Sequence, residues 1–250
     1  MRTKTFTTVM ILALVAFFTD VSATVWRVNP TPNSSAQYST VQAAHDAATT
    51  VNFDTLYLEG STFSFGGLTL TKKLTIIGNG YFLAENPQTQ YNIQPSTFNG
   101  YVYCYAGCEG SKFIGCSFVS SVYIYTNNIT FERNYFNTSY SIYPQTNCSD
   151  ILILNNYFNY AHYNLYFNQV HSNILVANNY FAGYVTASSS FSGVFANNIF
   201  SYPLSAYNST LVNNIALSSV DLYNCIKTYN IGNSTQFGNL DGNQQNVGFL

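Results

Sequence analysis

Charge is what this chain has least of. Asp, Glu, Lys and Arg make up 7% of its 250 residues, against roughly 25% in an ordinary soluble domain. With 8 Lys and Arg in all, there is no basic cluster to displace counterions from phosphates, so a nucleic-acid partner is not expected. Cysteine occurs 5 times, as Cys104, Cys108, Cys116, Cys148 and Cys225, with no CxxC or other metal-like spacing. An odd number leaves one thiol over after any pairing; burial as small apolar side chains is the alternative, and the favoured one for most of them. His162 and His171 have no Cys or carboxylate at ligand spacing, so neither a metal nor a cofactor is expected. The apolar run over residues 9–18 stops at ten residues, short of the roughly 20 that span a bilayer.

That run has another use. Arg2 and Lys4 precede it, and Val21, Ser22 and Ala23 follow as small residues suited to cleavage. Residues 1–23 therefore read as a signal peptide, with Thr24 as the mature start. The alternative is an anchor that stays attached. Export implies a secreted or outer-surface location, with no membrane span once the leader is gone. Removing Arg2, Lys4 and Asp20 takes the chain from 8 basic and 10 acidic residues to 6 and 9, a formal net charge of −3. Surface polarity must then come from uncharged groups, and Tyr (22) and Phe (20) are abundant beside many Asn.

An eleven-residue block recurs. CSDILILNNYF (148–158) matches HSNILVANNYF (171–181), TNNITFERNYF (126–136) and SFSGVFANNIF (190–200). Weaker copies end at residues 82, 118, 216 and 232, and steps of 16 to 23 residues separate the blocks after the first long interval. Helical repeats do not fit segments rich in β-branched, aromatic and Asn residues; a leucine-rich repeat lacks its Leu register. A coil of two or three short strands joined by tight turns does fit. A second strand precedes each block, as VYCYAG (102–107), VYIYTN (122–127), IYPQTN (142–147) and LYFNQV (165–170). Alternation places Val102, Val122, Ile142 and Leu165 on the inner face, with Tyr103, Tyr123, Tyr143 and Tyr166 towards solvent. Ile129, Ile151 and Ile174 form one inner column, and Phe131, Ile153 and Val176 another. Asn134, Asn156, Asn179, Asn198, Asn214 and Asn230 form a ladder whose amides can bond along the axis. Asn also tolerates the left-handed backbone of a sharp turn.

The ends of a solenoid need covers. A strand over residues 25–28 and a helix over 41–48, capped by Ser39 or Thr40, are expected to plug the N-terminal mouth with an Ala-rich face. Residues 24–53 form this cap, residues 54–232 the coils and 83–100 an inserted loop. Residues 233–250 read as a short tail, or as part of a sequence that continues. The run from Gln42 to Ala48, the run from Asp54 to Gly60 and the run from Leu70 to Phe82 resemble exported proteins of Bacteroidota in the pectate-lyase-like superfamily. That resemblance implies an all-β, right-handed single-stranded parallel β-helix with a short N-terminal capping helix. It is weakly informative about activity, since one fold hosts many functions.

A polysaccharide lyase of this superfamily would need clustered carboxylates for Ca²⁺ and a basic residue nearby. Between Tyr101 and Gly232 the acidic residues are Glu109, Glu132, Asp150 and Asp221, in different rungs and columns. A glycoside hydrolase would need carboxylates about 5–9.5 Å apart. The candidate catalytic residues are then Asp150, Glu132 and His162. Asp150 shares its block position with Asn128 and Asn173, so it is a turn residue or an acid–base group; Glu132 beside Arg133 reads as a solvated ion pair. Thr126, Thr146 and Thr186 make too sparse a Thr row for ice binding. Six Asn-x-Ser/Thr sequons, Asn128 and Asn208 among them, are what such a composition gives by chance.

The outward tyrosines are the leading candidates for ligand binding. Tyr103, Tyr105, Tyr123, Tyr125, Tyr143 and Tyr166 would form two rows, a flat aromatic platform for sugar rings or a self-supporting ladder. The sequence thus points to a secreted or cell-surface monomer that binds polysaccharide or a surface partner without catalysis. A polysaccharide-degrading enzyme and a structural adhesin are the alternatives.

Overall fold

The structure, a computed structural model, describes residues 23–85, 92–145 and 147–232. The expected leader apart from Ala23, residues 86–91 of the expected loop, Thr146 and the tail 233–250 lie outside the described residues. The chain winds as an all-β parallel solenoid of about 9 turns, with sheets of 8, 11 and 8 strands. Each coil visits three faces in turn. One runs from Val122–Ile124 on face 1 to Thr130–Glu132 on face 2 and Tyr135–Phe136 on face 3.

Period-2 alternation sets what points inward. Val102, Val122, Ile142 and Leu165 line the lumen on face 1, and Phe113, Phe131, Ile153, Val176 and Phe195 on face 2, all buried. On face 3 the lumen holds a continuous ring stack. Phe98, Phe118, Phe136, Phe158, Phe181 and Phe200 follow one another with centroids 4.7 to 5.2 Å apart, close to the ~4.8 Å rise between parallel strands.

The asparagine ladder runs up the corner between faces 2 and 3. The Asn134 backbone N–H donates to Asn156 Oδ1 at 2.9 Å, while Asn134 Nδ2 reaches Phe113 O at 2.9 Å and the same Oδ1 at 3.1 Å. The pattern repeats through Asn156, Asn179, Asn198 and Asn214 to Asn230. The left-handed backbone falls one residue earlier than the sequence suggests. Arg133, Asn155, Asn178, Asn197, Asn213 and Tyr229 have φ between 53° and 58°. The ladder amides must turn into the coil to bond, so the preceding exposed residue carries the reversal.

The N-terminal mouth is closed by helix α1, Val41–Asp46, whose N-cap Thr40 accepts from Ala43 N–H at 3.1 Å. The plug is Val41, Ala44 and His45; Ala43 and Ala48 face solvent, contrary to the expected Ala-rich face. His45 Nε2 accepts from Thr71 N–H at 3.1 Å, which leaves Nδ1–H to donate to Asp46 at 2.7 Å. The helix stops two residues short of the expected end. Lys72 Nζ donates to the carbonyls of His45, Ala47 and Thr50 at 2.6, 3.2 and 2.9 Å, capping that terminus. Within the segment expected as a loop, Leu83–Glu85 forms a 3-10 turn and Thr97–Phe98 joins face 3.

None of the five cysteines is in a disulfide, and four of them are buried; burial pushes the Cys116 thiol up to about 12. His171 is buried between Phe167 and Phe191, accepts from Cys148 N–H at 3.3 Å through Nδ1, and leaves Nε2 unpartnered. Burial holds its pKa below the ordinary 6.5. The unfolded chain then binds the extra proton first, so stability is lost as pH falls below 6.5 towards the depressed folded value. Thermal unfolding followed from pH ~8 to ~5 should show a falling midpoint that His171→Gln flattens. An equal slope in both proteins would remove His171 as its source.

Candidate functional site

Face 1 builds its outer surface by the same alternation that fills the lumen. Tyr103 lies opposite Tyr123, and Tyr123 opposite Tyr143, while their neighbours point inward. Thr69, Tyr103, Tyr123 and Tyr143 form one outward column, and Tyr166, Thr186 and Ser205 continue up the face. The next outward partner, Asp221, carries its first charge.

The rings stack on one another rather than lying flat. Tyr103 and Tyr123 are 5.4 Å apart at 14°, and Tyr105 and Tyr125 are 4.9 Å apart at 21°. Near-parallel rings at that separation pack as an offset stack, so part of each face is covered by its neighbour. The expected flat platform is instead a row of phenol edges and hydroxyls. The stack breaks higher up, where Tyr143 meets Tyr166 at 69° and Tyr123 meets Tyr143 at 44°.

The hydroxyls separate this face from a purely self-supporting ladder. Among the described residues, no protein group hydrogen-bonds the hydroxyls of Tyr103, Tyr105, Tyr123, Tyr125 and Tyr166, while Tyr143 accepts from Asn168 Nδ2 at 3.0 Å. Face 3 carries its own row, Tyr135, Tyr157 and Tyr180. There Tyr135 accepts from Asn159 at 2.9 Å and Tyr180 from Ser201 at 3.0 Å. Burial first, then neighbouring phenols, push Tyr103, Tyr125 and Tyr166 above the ordinary 10.0. Those three phenols keep their protons at physiological pH and can donate and accept.

Sequence reading found six of these tyrosines and missed others. Tyr101 packs on Tyr103 and Tyr123, Tyr140 stacks on Tyr163 at 5.4 Å, and Tyr184 meets Tyr202. Tyr101 was within reach, two residues before Tyr103 on the same alternation. Tyr163 was obscured by a bulge that inserts Asn164, whose Oδ1 accepts from Gly183 N–H.

The acid–base candidates sit at three different corners of the coil. Glu132 ends a face 2 strand, with Arg133 Nε 3.4 Å from its Oε1. Asp150 is at the turn into face 2 with φ 59°, in one column with Asn128 and Asn173, both also left-handed. It accepts from Ser149 Oγ at 2.6 Å and from Asn173 Nδ2, which hold its carboxyl below the ordinary 3.8. A depressed exposed carboxyl suits a turn lock better than a general acid. His162 lies at the turn into face 1, its Nδ1 3.1 Å from Ser139 O and its ring against Tyr140 and Tyr163. The structure does not bring the three together. Among the described residues no three His, Cys, Asp or Glu are grouped to hold a metal ion, and no helix is long and apolar enough to cross a membrane. Comparison with protein-family models, curated proteins and solved structures finds no match.

Proposed function

We propose that this chain is an exported, non-catalytic polysaccharide-binding solenoid that presents face 1 to a neutral glycan. In this reading it is a right-handed β-helix of the pectate-lyase-like superfamily, of the kind exported by Bacteroidota, and it works outside the cell as a monomer. The leader-like residues around Arg2, Lys4 and Ala23 and the runs from Gln42 to Ala48 and from Leu70 to Phe82 support that placement.

The observation that carries the binding role is a set of phenol hydroxyls without a hydrogen-bond partner among the described residues, in an outward column of face 1 that is uncharged up to Asp221. Five of them repeat over successive rungs and offer donors and acceptors that no side chain among the described residues uses. Sugar hydroxyls are matched donors and acceptors, and the half-buried rings of Tyr143 and Tyr166, set at 69° to each other, offer apolar contact for a pyranose ring. The tyrosine stretch of face 1 carries no charge to attract an anionic polymer, and Asp221 together with the chain's net negative charge disfavours one.

Native electrophoresis of the mature chain through gels containing individual polysaccharides tests this. Retardation by a neutral polysaccharide, with little or none by pectin, is expected. Free migration in every gel would sink the reading and leave a structural solenoid as the better account.

A further inference from the structure

We propose that face 1 is also a radical relay, which carries a one-electron oxidising equivalent along the solenoid from Tyr105 to Tyr202. The relay does not depend on glycan binding, since it uses ring contact and oxidation and no bond to a sugar. Its rings form an unbroken path. From Tyr105 the path runs through Tyr103 and Tyr123 to Tyr143, with centroids 6.1, 5.4 and 6.0 Å apart. It continues through Tyr166, Tyr163 and Tyr184 to Tyr202, in steps of 5.1, 4.9, 5.6 and 5.1 Å. The ends are five strand pairings apart, from Val102–Cys104 to Leu204–Tyr207, about 24 Å along the axis. Both end rings are 38% exposed, open to an oxidant at one and a reductant at the other.

Repetition of outward tyrosines does not by itself give such a path. On face 3 the outward column passes from Tyr180 to Ile199 and Ile215, and the row of rings stops. The outward column of face 1 likewise turns to Thr186 and Ser205 above Tyr166. There the path leaves the column. The bulge at Asn164 sets Tyr163 opposite Tyr184, and Tyr202 meets the Tyr184 ring edge-on. Tyr143 is the crossing point. Among the described residues, the rings from Tyr101 to Tyr125 meet those above them only through its contact with Tyr123.

Phenols are oxidised at potentials that aliphatic side chains and alcohols do not reach, and like neighbours make no step steeply uphill. The oxidant is a one-electron acceptor of the class of peroxide-activated haem or a photo-oxidised metal complex. It takes one electron from Tyr105, whose O–H proton passes to water, leaving a phenoxyl radical. At each hop the next ring gives an electron to that radical and a proton to water, and the first ring regains its proton from water. Water serves because Tyr103, Tyr123 and Tyr166 are half-buried and Tyr105 exposed, their hydroxyls having no partner among the described residues.

A ruthenium tris-bipyridine complex attached by Ala106→Cys, at an exposed position beside Tyr105, injects the radical at one end. Cys225→Ser removes the one thiol that is not buried, and aminotyrosine, which is more easily oxidised than tyrosine, replaces Tyr202 as a trap. After a flash with a soluble electron acceptor, electron paramagnetic resonance should find the aminotyrosyl radical at position 202. Tyr143→Phe keeps the ring and removes the phenol, and should abolish that signal with the circular dichroism spectrum unchanged. Tyr157→Phe on face 3 should leave it intact. No radical at position 202, an equal yield in Tyr143→Phe, or a yield that rises with protein concentration would each overturn the relay.

Discussion

Replacing Asn156 with alanine is expected to destabilise the solenoid by about 3–5 kcal/mol. The side chain is buried and makes four hydrogen bonds. Its Oδ1 takes the Asn134 backbone N–H and side-chain amide at 2.9 and 3.1 Å, and its Nδ2 gives to Phe131 O and Asn179 Oδ1, both at 3.0 Å. Alanine leaves several of those groups buried without partners in two neighbouring coils. Each costs roughly 1–3 kcal/mol when unsatisfied. A parallel solenoid has only nearest-neighbour contacts to compensate, so the loss should appear in full in urea unfolding. Asn155→Gly is the matched control. It changes the exposed residue that carries the left-handed turn, where glycine is at ease, and should shift stability by less than about 1 kcal/mol. Equal effects at positions 155 and 156 would mean that the turn backbone, not the amide ladder, holds the coils in register.

The second large effect is expected at Asp54. It is fully buried and accepts from Thr24 N–H at 2.7 Å, Trp26 Nε1 at 2.9 Å and Val51 N–H at 3.0 Å. Burial works to raise its pKa, yet these three bonds outweigh it and hold the carboxyl below the ordinary 3.8. Asp54→Ala removes the group joining the strand Val25–Val28 to the first full coil and should cost about 2–4 kcal/mol. Trp26 is the only tryptophan in the chain, so its fluorescence reports this end alone. A red-shifted, early transition in the variant is expected, ahead of unfolding followed by circular dichroism. The sign with pH follows from the lowered value. The stabilisation is present above 3.8 and is lost as pH falls through the depressed folded value. An unshifted Trp26 spectrum in Asp54→Ala would show that the cap is held by other contacts.

The fold was legible because its determinants are local and repeated. The columns through Ile129 and Phe131, the Asn ladder and the outward tyrosines each follow from a period of two within strands and one coil between them. Three features were not legible for a common reason, namely that each depends on side-chain direction at a corner. The left-handed residue is Arg133 and not Asn134, the plug is Val41, Ala44 and His45, and the tyrosine rings stack instead of lying flat. A linear pattern reports which face a residue occupies and not how its ring is turned.

The most direct test of the glycan-binding account is to compare the native chain with a variant carrying Tyr123→Ala, Tyr143→Ala and Tyr166→Ala in the same polysaccharide gels. Tyr157→Ala on face 3 serves as the control for general loss of aromatic surface. The account predicts that the native chain and the face 3 variant are retarded by a neutral polysaccharide, while the triple variant migrates freely with its β-rich circular dichroism spectrum intact. Retardation of the folded triple variant equal to that of the native chain would contradict it.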